Sequence, residues 1–335
     1  MPDRSLATLL GDPDYYLDRI DSVEGRATFV HSDRNRLGSA VFLDGRAPFA
    51  TGDSQSIELG NLIIPSRTVE PDPRRFIFHM SFCGSTQLSH LIHGCGAAVV
   101  LKEPHALVDL ADWHRTMCER NCEDLRFDPT LDCAIALLMR RWPGAGPTVV
   151  KPSNWANSLL PDLTCGATGT RIVLITIGRR AFLRAVFRGG RERLAFTSRV
   201  AAHLAGAGRR FAAVDEAVSG VSDPFDQVAR FALLAHSLQE QLFAQAASEA
   251  LAGVALIEYE LILNDPREAL CRAIAALNLE VADDAVATAL SGRAARNSKS
   301  PGRPFTIAGQ QEEDRLVEHY HAERFDRALA WAERQ

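Results

Sequence analysis

Five short apolar runs constrain the fold of this chain more than any other feature. Each is nearly continuous in apolar residues and is bounded by glycine, proline or charge; in chain order they are FIFHMS, AAVVLK, TVVK, RIVLITIG and VALIEYE. Continuous runs of this kind are typical of strands buried on both faces. Because helical stretches separate the runs, the pattern predicts an α/β fold whose five strands form one parallel sheet.

The helices that are easiest to place lie in the second half of the chain. Asp223 and Asp265 are each followed by proline and then by an apolar periodicity, which is typical of a capped helix start. The C-terminal stretch EEDRLVEHYHAERFDRALAWAER is amphipathic, so we expect it to pack against the sheet domain.

The first 70 residues differ in pattern from the rest. The stretch ATFVHSDRNRLGSAVFLDG alternates apolar runs with turn residues, which predicts antiparallel strands joined near residues 35–38. The proline-rich stretch IIPSRTVEPDPRR then predicts a linker. We therefore expect a small N-terminal α+β region at residues 1–70, followed by an α/β domain at residues 71–335.

Charge and composition disfavour several classes of function. The net charge of −5 and the pI of about 6.1 argue against a protein that binds nucleic acid or a membrane surface through bulk positive charge. No apolar stretch approaches the roughly 18 residues of a membrane span, and no secretory signal is evident at the N-terminus. The seven cysteines are odd in number and lack paired CxxC spacing, which favours reduced thiols and a cytoplasmic protein.

The stretch FIFHMSFCGSTQLSHLIH, residues 76–93, predicts a strand, a tight turn and a helix. Such a turn directs free backbone N–H groups and a helix dipole at one point, which is an anion site. Gly84 permits the turn, and Ser85 and Thr86 add two hydroxyls. Compared with GxxxxGK[ST], Ser85 replaces the lysine, and the run RIVLITIG ends in Thr176 rather than in an acidic residue. Both differences disfavour magnesium-dependent hydrolysis of a triphosphate; a helix start that binds no ligand is the alternative.

Four stretches together resemble the sulfotransferase family. In the family's order they are FHMSFCGSTQLSHLI, RIVLITIGRRAFLRAVF, VALIEYELILNDPREALCRAIAALNLE and NSKSPGRPF. The resemblance implies a three-layer, P-loop-like domain that uses 3′-phosphoadenosine 5′-phosphosulfate as co-substrate. It also implies that protein cations, rather than a metal, offset the charge of the leaving phosphate.

The resemblance carries donor-binding roles to particular residues. It implies a 5′-phosphosulfate loop, a 3′-phosphate arginine and a late basic loop; the residues at these positions are Ser81, Phe82, Cys83, Gly84, Ser85 and Thr86, then Arg179, then Lys299 and Arg303. Phe82 departs from the pattern, because the family has a lysine or an arginine at that position. The missing charge could come from the arginine-rich run that follows Gly178; its six arginines are Arg179, Arg180, Arg184, Arg188, Arg191 and Arg193. That run either clamps a phosphate or forms a solvated basic face.

Two strand ends offer residues for sulfuryl transfer, which requires a base for the acceptor and a cation for the leaving phosphate. The stretch VVLKEPH supplies Glu103 as the first candidate base and His105 as the second. The stretch TVVKPSN supplies Lys151 as a cation near the bridging oxygen. The alternative is structural, with Lys102 and Glu103 capping the strand and pairing with each other.

Three functions follow from these observations. The first is a sulfotransferase-like enzyme that transfers a sulfuryl group to a hydroxyl or amine of a small-molecule acceptor, with no nucleic-acid or membrane partner. The second is a non-catalytic or repurposed relative that binds a nucleotide or another phosphorylated ligand. The third is an atypical small-molecule kinase. The sequence names neither the acceptor nor an oligomeric state.

Overall fold

The structure, a computed structural model, describes residues 5–46, 48–66, 73–164, 169–249, 253–291 and 306–334. Its strands are β1 (Tyr15–Asp21), β2 (Arg26–His31), β3 (Ser54–Glu58), β4 (Arg75–His79), β5 (Val99–Lys102), β6 (Thr148–Lys151), β7 (Arg171–Thr176) and β8 (Val254–Glu258). Its α-helices are α1 (Leu6–Gly11), α2 (Arg34–Ser39), α3 (Leu59–Ser66), α4 (Ser85–Gly94), α5 (His105–Arg120), α6 (Phe127–Leu138), α7 (Leu160–Thr164), α8 (Arg179–Arg188), α9 (Gly190–Ala207), α10 (Phe211–Val218), α11 (Pro224–Glu249), α12 (Tyr259–Asn264), α13 (Pro266–Ala276), α14 (Asp283–Ser291) and α15 (Ile307–Ala332). A 3-10 helix, Asn154–Leu159, follows β6.

The five predicted strands form one parallel sheet in the order β5-β6-β4-β7-β8, which confirms the predicted α/β fold class. All five residues of β4 are buried, because β4 is the central strand and helices cover the sheet. This burial explains why its sequence is a continuous apolar run. Helices α4, α13 and α14 form one packed group, and α5, α9, α11 and the 3-10 helix form another, so the domain has three layers.

The strand order fixes where a ligand can bind. From β4 the chain moves outward to β5, returns to β6, and then crosses to β7 on the other side of β4. In open parallel sheets, ligands bind beyond the carboxyl ends of the strands where the order reverses. Here that position is the end of β4, from which the predicted anion loop begins.

The N-terminal region holds a three-stranded antiparallel sheet in the order β1-β2-β3. The predicted turn between two strands at residues 35–38 is wrong, because these residues lie in α2. The carboxylate of Asp33 accepts hydrogen bonds from the backbone N–H groups of Asn35 and Arg36, and this cap stabilises a helix start. The residues after α2 contact the edge of the parallel sheet: the Leu43 N–H donates to the Lys102 carbonyl at the end of β5.

One buried arginine ties the N-terminal region to the α/β domain. The guanidinium of Arg140 donates to the carbonyl oxygens of Leu9, Leu10, Asp12 and Tyr15, over distances of 2.5 to 3.1 Å. Burial lowers the pKa of Arg140 to about 10, which leaves the side chain charged at neutral pH. The four carbonyls offset the loss of water around that charge. Of the predicted linker, residues 67–72 lie outside the described residues, and the domain boundary stays a prediction.

The C-terminal helix packs along the arginine-rich helix, as the contacts of α15 with α8 show. Carboxylates of α15 pair with three arginines of α8; the pairs are Arg180 with Glu318 and Asp326, Arg184 with Glu318, and Arg188 with Glu313 and Asp314. Arg180 and Arg184 thus hold α15 against α8, rather than forming the solvated basic face that was the alternative to a phosphate clamp. Across the described ranges, no helix has both the length and the apolar character needed to cross a membrane.

Candidate functional site

A tight loop connects β4 to α4 and positions the first part of the site. Gly84, the last loop residue, has φ of 78°, a conformation that costs a non-glycine residue about 1–2 kcal/mol. A Cβ atom at Gly84 would also lie 3.1 Å from Cγ2 of Ile262. Glycine is therefore required here both for the backbone conformation and for the close packing against α12.

The start of α4 presents backbone N–H groups to the space beyond the loop. Among the described residues we find no acceptor for the N–H groups of Gly84, Ser85 or Thr86, and no side chain caps the helix. The Gly84 carbonyl, by contrast, accepts from the N–H groups of Gln87 and Leu88 and so begins the helix. Three adjacent donors at a helix start favour binding of an anion.

These donors face a cleft of about 1240 Å³. It is lined by residues 42–46 of the N-terminal region, the loop and first turn of α4, the ends of β5 and β6, the end of α8 with the start of α9, residues of α12, and the start of α15. Its lining includes the loop residues Ser81, Phe82, Cys83, Gly84, Ser85 and Thr86, together with Arg46, His79, Glu103, Asn154, Arg188, Arg193 and Arg199. The loop therefore shares one space with a strand-end carboxylate and several arginines.

Two arginines of α9 bring positive charge to the cleft. The guanidinium carbon of Arg193 lies 4.4 Å from the centroid of the Phe82 ring, a cation–π contact. Within the described part of the chain, neither Arg193 nor Arg199 forms an ion pair; Glu313, the carboxylate that acts on Arg193, is paired with Arg188. Arg188, in contrast, is already paired with Glu313 and Asp314 of α15. Arg193 and Arg199 are thus the cations that remain available to a bound anion.

Glu103 lies at the end of β5 and is held by two cations. Its Oε1 accepts from Nζ of Lys151 at 2.6 Å and its Oε2 from Nη2 of Arg46 at 3.0 Å. Burial raises the pKa of Glu103, but Lys151, His79 and Arg46 outweigh burial and lower the pKa to about 2. The alternative considered from the sequence, in which Glu103 pairs with Lys102, is wrong. The Lys102 Nζ donates to the carbonyls of Gly38 and Val100 instead. Glu103 is consequently ionised at neutral pH and a weak proton acceptor.

His79, the last residue of β4, lies in the cleft beside Glu103. Its Nδ1 lies 2.9 Å from the Met80 carbonyl, and its Nε2 lies 3.9 Å from Oε1 of Glu103. A proton on Nε2 would therefore be stabilised by a carboxylate. In the sequence His79 flanks the anion loop, and a lone histidine at a strand end is more often a hydrogen-bonded structural group than a catalyst.

Side chains of the 3-10 helix hold the loop in place. Nδ2 of Asn154 donates to Oγ of Ser81 at 2.6 Å, and Nδ2 of Asn157 donates to the His79 carbonyl at 3.0 Å and to Oε1 of Gln239 at 2.8 Å. All of these atoms belong to buried residues. The loop is therefore fixed before any ligand binds, which lowers the entropic cost of binding.

The structure brings together some of the predicted site residues and separates others. The predicted loop, residues 81–86, lies in one cleft with Glu103. His105 at the start of α5, Lys151 behind Glu103, and Arg179 are not among the described residues that line it. Arg179 pairs with Glu240 of α11 at 2.9 Å. Lys299 and Arg303 lie outside the described residues, and the roles assigned to all these residues stay predictions.

Arg193 belongs to the predicted basic run, but nothing in the sequence distinguishes it from the other five arginines. Arg180, Arg184 and Arg188 recur every four residues, as on one helical face, and these are the arginines that α15 neutralises. Across the described residues, no group of three or more His, Cys, Asp and Glu side chains is arranged to hold a metal ion.

Comparisons with known proteins give structural matches only. No family model matches the sequence, and no curated protein matches it. The sulfotransferase domain from the curacin biosynthetic pathway is 11% identical; the match covers 76% of this chain and 99% of that domain, with a TM-score of 0.41. Sulfotransferase STF1 from Mycobacterium tuberculosis is 13% identical; the match covers 80% of each chain, with a TM-score of 0.40. Identities this low leave the activity to be argued from the cleft itself.

Proposed function

We propose that this cleft binds 3′-phosphoadenosine 5′-phosphosulfate and transfers its sulfuryl group to a hydroxyl or amine of a small-molecule acceptor. One observation carries the proposal: the N–H groups of Gly84, Ser85 and Thr86 have no acceptor among the described residues and face a cleft that also holds Arg193 and Arg199. Phosphate and sulfonate oxygens match such a set of donors, since each can accept several hydrogen bonds from backbone and guanidinium groups.

The residues beside the loop favour sulfuryl transfer over transfer from a magnesium triphosphate. A triphosphate site pairs a loop lysine with a carboxylate on a neighbouring strand. Here Ser85 takes the place of the lysine, and the two strands that flank β4 end in Lys151 and Thr176. The carboxylate of Glu103 is already held by Lys151 and Arg46.

In the proposed reaction the acceptor oxygen or nitrogen attacks sulfur, the bond from sulfur to the 5′-phosphate oxygen breaks, and adenosine 3′,5′-bisphosphate leaves. We assign the acceptor proton to His79 rather than to Glu103, whose pKa of about 2 makes it a weak base. The tautomer in which Nδ1 donates to Met80 makes Nε2 the basic nitrogen. Glu103 then stabilises the imidazolium that forms 3.9 Å away.

Different residues would hold the two ends of the donor. The loop N–H groups and the hydroxyls of Ser85 and Thr86 would bind the phosphosulfate. For the 3′-phosphate, the predicted partners Lys299 and Arg303 lie outside the described residues, and Arg179 would have to exchange Glu240 for the ligand.

One feature favours a second candidate, a protein that binds the nucleotide without transferring anything. Phe82 occupies the loop position at which the resemblance implies a cation. Binding of the nucleotide without sulfuryl transfer to a panel of hydroxyl and amine acceptors would support this second candidate.

The loop hydroxyl provides a direct test of donor binding. We expect Thr86→Ala to weaken binding of adenosine 3′,5′-bisphosphate by about tenfold, because a hydrogen bond to a charged group is worth about 1.5–3 kcal/mol. Calorimetric titration measures this change. Ser89→Ala is the matched control, since its hydroxyl lies on the same helix but donates to the Ser85 carbonyl and does not line the cleft. Failure of the wild type to bind the bisphosphate, or tighter binding of ATP with magnesium, would contradict the proposal.

A further inference from the structure

Phe82 is held in an unusual backbone conformation at the centre of the loop. Its φ is 64°, a value that few residues other than glycine adopt. Its ring centroid lies 6.1 Å from that of Phe182, a core residue of α8. The contact with the core fixes one side of the ring, and the Arg193 guanidinium covers another part of it.

Arg193 is itself fixed in place from several sides. Its Nη1 donates to the Ala185 carbonyl at 2.5 Å, and its guanidinium stacks on Phe82. Gly189 leaves room for it, because a Cβ atom at Gly189 would overlap the Arg193 guanidinium. Gly189 has φ of −88°, so glycine is not needed there for the backbone. The absence of a side chain at Gly189 therefore serves the placement of Arg193.

The electrostatic surroundings of Arg193 favour an anionic ligand. Burial and then the neighbouring Arg188 lower the pKa of Arg193, since both disfavour its charge, and the Glu313 carboxylate opposes them only in part. Among the described residues, no carboxylate forms an ion pair with Arg193, and Glu313 is paired with Arg188 instead. Its half-buried guanidinium makes one described hydrogen bond, to the Ala185 carbonyl, and stacks on one ring, so donors are left for a phosphate or a sulfonate.

We infer that Arg193 supplies, from α9, the cation that the loop itself lacks, with Phe82 as the platform that aims it at the 5′-phosphosulfate. The inference rests on the proposed function and adds a catalytic residue to it. In the transfer step, negative charge develops on the 5′-phosphate oxygen as its bond to sulfur breaks. A guanidinium held beside the loop stabilises that charge without moving.

Binding of three nucleotides tests this role. We expect Arg193→Met to weaken the binding of adenosine 5′-phosphate and of adenosine 3′,5′-bisphosphate by about tenfold or more, because the change removes charge-assisted hydrogen bonds. Binding of adenosine 3′-phosphate should not change. Gly189→Ala keeps the charge of Arg193 but displaces its guanidinium, so we expect a smaller loss of affinity for the same two nucleotides. Arg191→Met is the matched control, since Arg191 is exposed on the same helix and does not line the cleft.

Two outcomes separate this inference from the proposed function. In the first outcome, the wild type binds the bisphosphate, and Arg193→Met either binds it equally well or loses as much affinity for adenosine 3′-phosphate as for the other two nucleotides. The role of Arg193 is then wrong and the proposed function stands. If the wild type binds none of the three nucleotides, the proposed function fails and the role of Arg193 fails with it. Equal thermal unfolding midpoints for the variants exclude loss of folding as the cause.

Discussion

Replacing Lys151 with methionine is expected to lower the free energy of unfolding by about 3 kcal/mol. Lys151 is fully buried, and its Nζ lies 2.6 Å from Oε1 of Glu103. Methionine fills similar space but leaves the Glu103 carboxylate with only the half-exposed Arg46 as a strong partner. Breaking a buried pair from one side costs about 3–5 kcal/mol, and the remaining pair with Arg46 places the effect at the lower end. Urea denaturation at pH 7 measures it.

The double variant Lys151→Met with Glu103→Gln distinguishes a lost pair from lost packing. With both charges removed, most of the stability should return, because no unpaired charge stays buried. A double variant as unstable as the two single changes combined would show that packing, not charge, is responsible.

The ion pair between Glu103 and Lys151 also predicts how the stability of the protein changes in acid. Glu103 has an ordinary pKa of 4.5 and a folded-state pKa of about 2, so the unfolded chain takes up its proton first as the pH falls. The contribution of Glu103 to the free energy of unfolding is therefore complete above pH 4.5 and is lost as the pH falls toward 2. A difference of this size corresponds to about 3 kcal/mol. Glu103→Gln should lack this part of the acid transition.

The central sheet could be predicted because the burial of a strand determines which residues its sequence can contain. A strand covered on both faces must be apolar at nearly every position, and β4 and β7 show this clearly. The turn between β4 and α4 could be predicted for a similar reason, since a helix start after a glycine turn needs only local residues, and anion binding there stays a prediction. The strands near residues 35–38 were misplaced because Asp33 can cap a helix as readily as it can begin a turn.

The charged partners of the site could not be predicted, because they depend on which elements become neighbours. Lys102 is next to Glu103 in sequence, yet Lys151 is the residue that pairs with it, since β6 lies beside β5. The arginines of α8 have a regular spacing, but their carboxylates come from α15, more than 120 residues later. Arg193 has no periodic signal, and only the fold places it over Phe82.

Lys102 is expected to make the stability of the protein depend on pH in the neutral to alkaline range. Its side chain is fully buried and donates to the carbonyls of Gly38 and Val100, at 2.5 and 3.3 Å, with no carboxylate among its described partners. Burial, and then the nearby charge of Lys151, lower the pKa of Lys102 from 10.5 to about 7. Carbonyl dipoles offset only part of the cost of burying the ammonium group.

The sign of the dependence follows from which state holds more protons. The unfolded lysine is protonated up to pH 10.5, whereas the folded one loses its proton near pH 7, so in this interval the unfolded state binds more protons and stability rises with pH. The slope is at most about 1.4 kcal/mol per pH unit, which gives a gain of about 2 kcal/mol between pH 7 and 9. His90 does not interfere, since burial and Lys102 lower its pKa to about 4.

Comparison with Lys102→Met isolates this contribution. The variant cannot take up the proton, so its free energy of unfolding, measured by urea denaturation, should lack the gain of about 2 kcal/mol between pH 7 and 9. Other groups that titrate in this interval affect both proteins alike, and the difference between the two curves therefore reports Lys102 alone. Parallel curves would show that the Gly38 and Val100 carbonyls hold the ammonium charge well enough to keep its pKa near the ordinary value. In that case Lys102, at the end of β5, would stay charged beside Lys151, which lies opposite it at the end of β6.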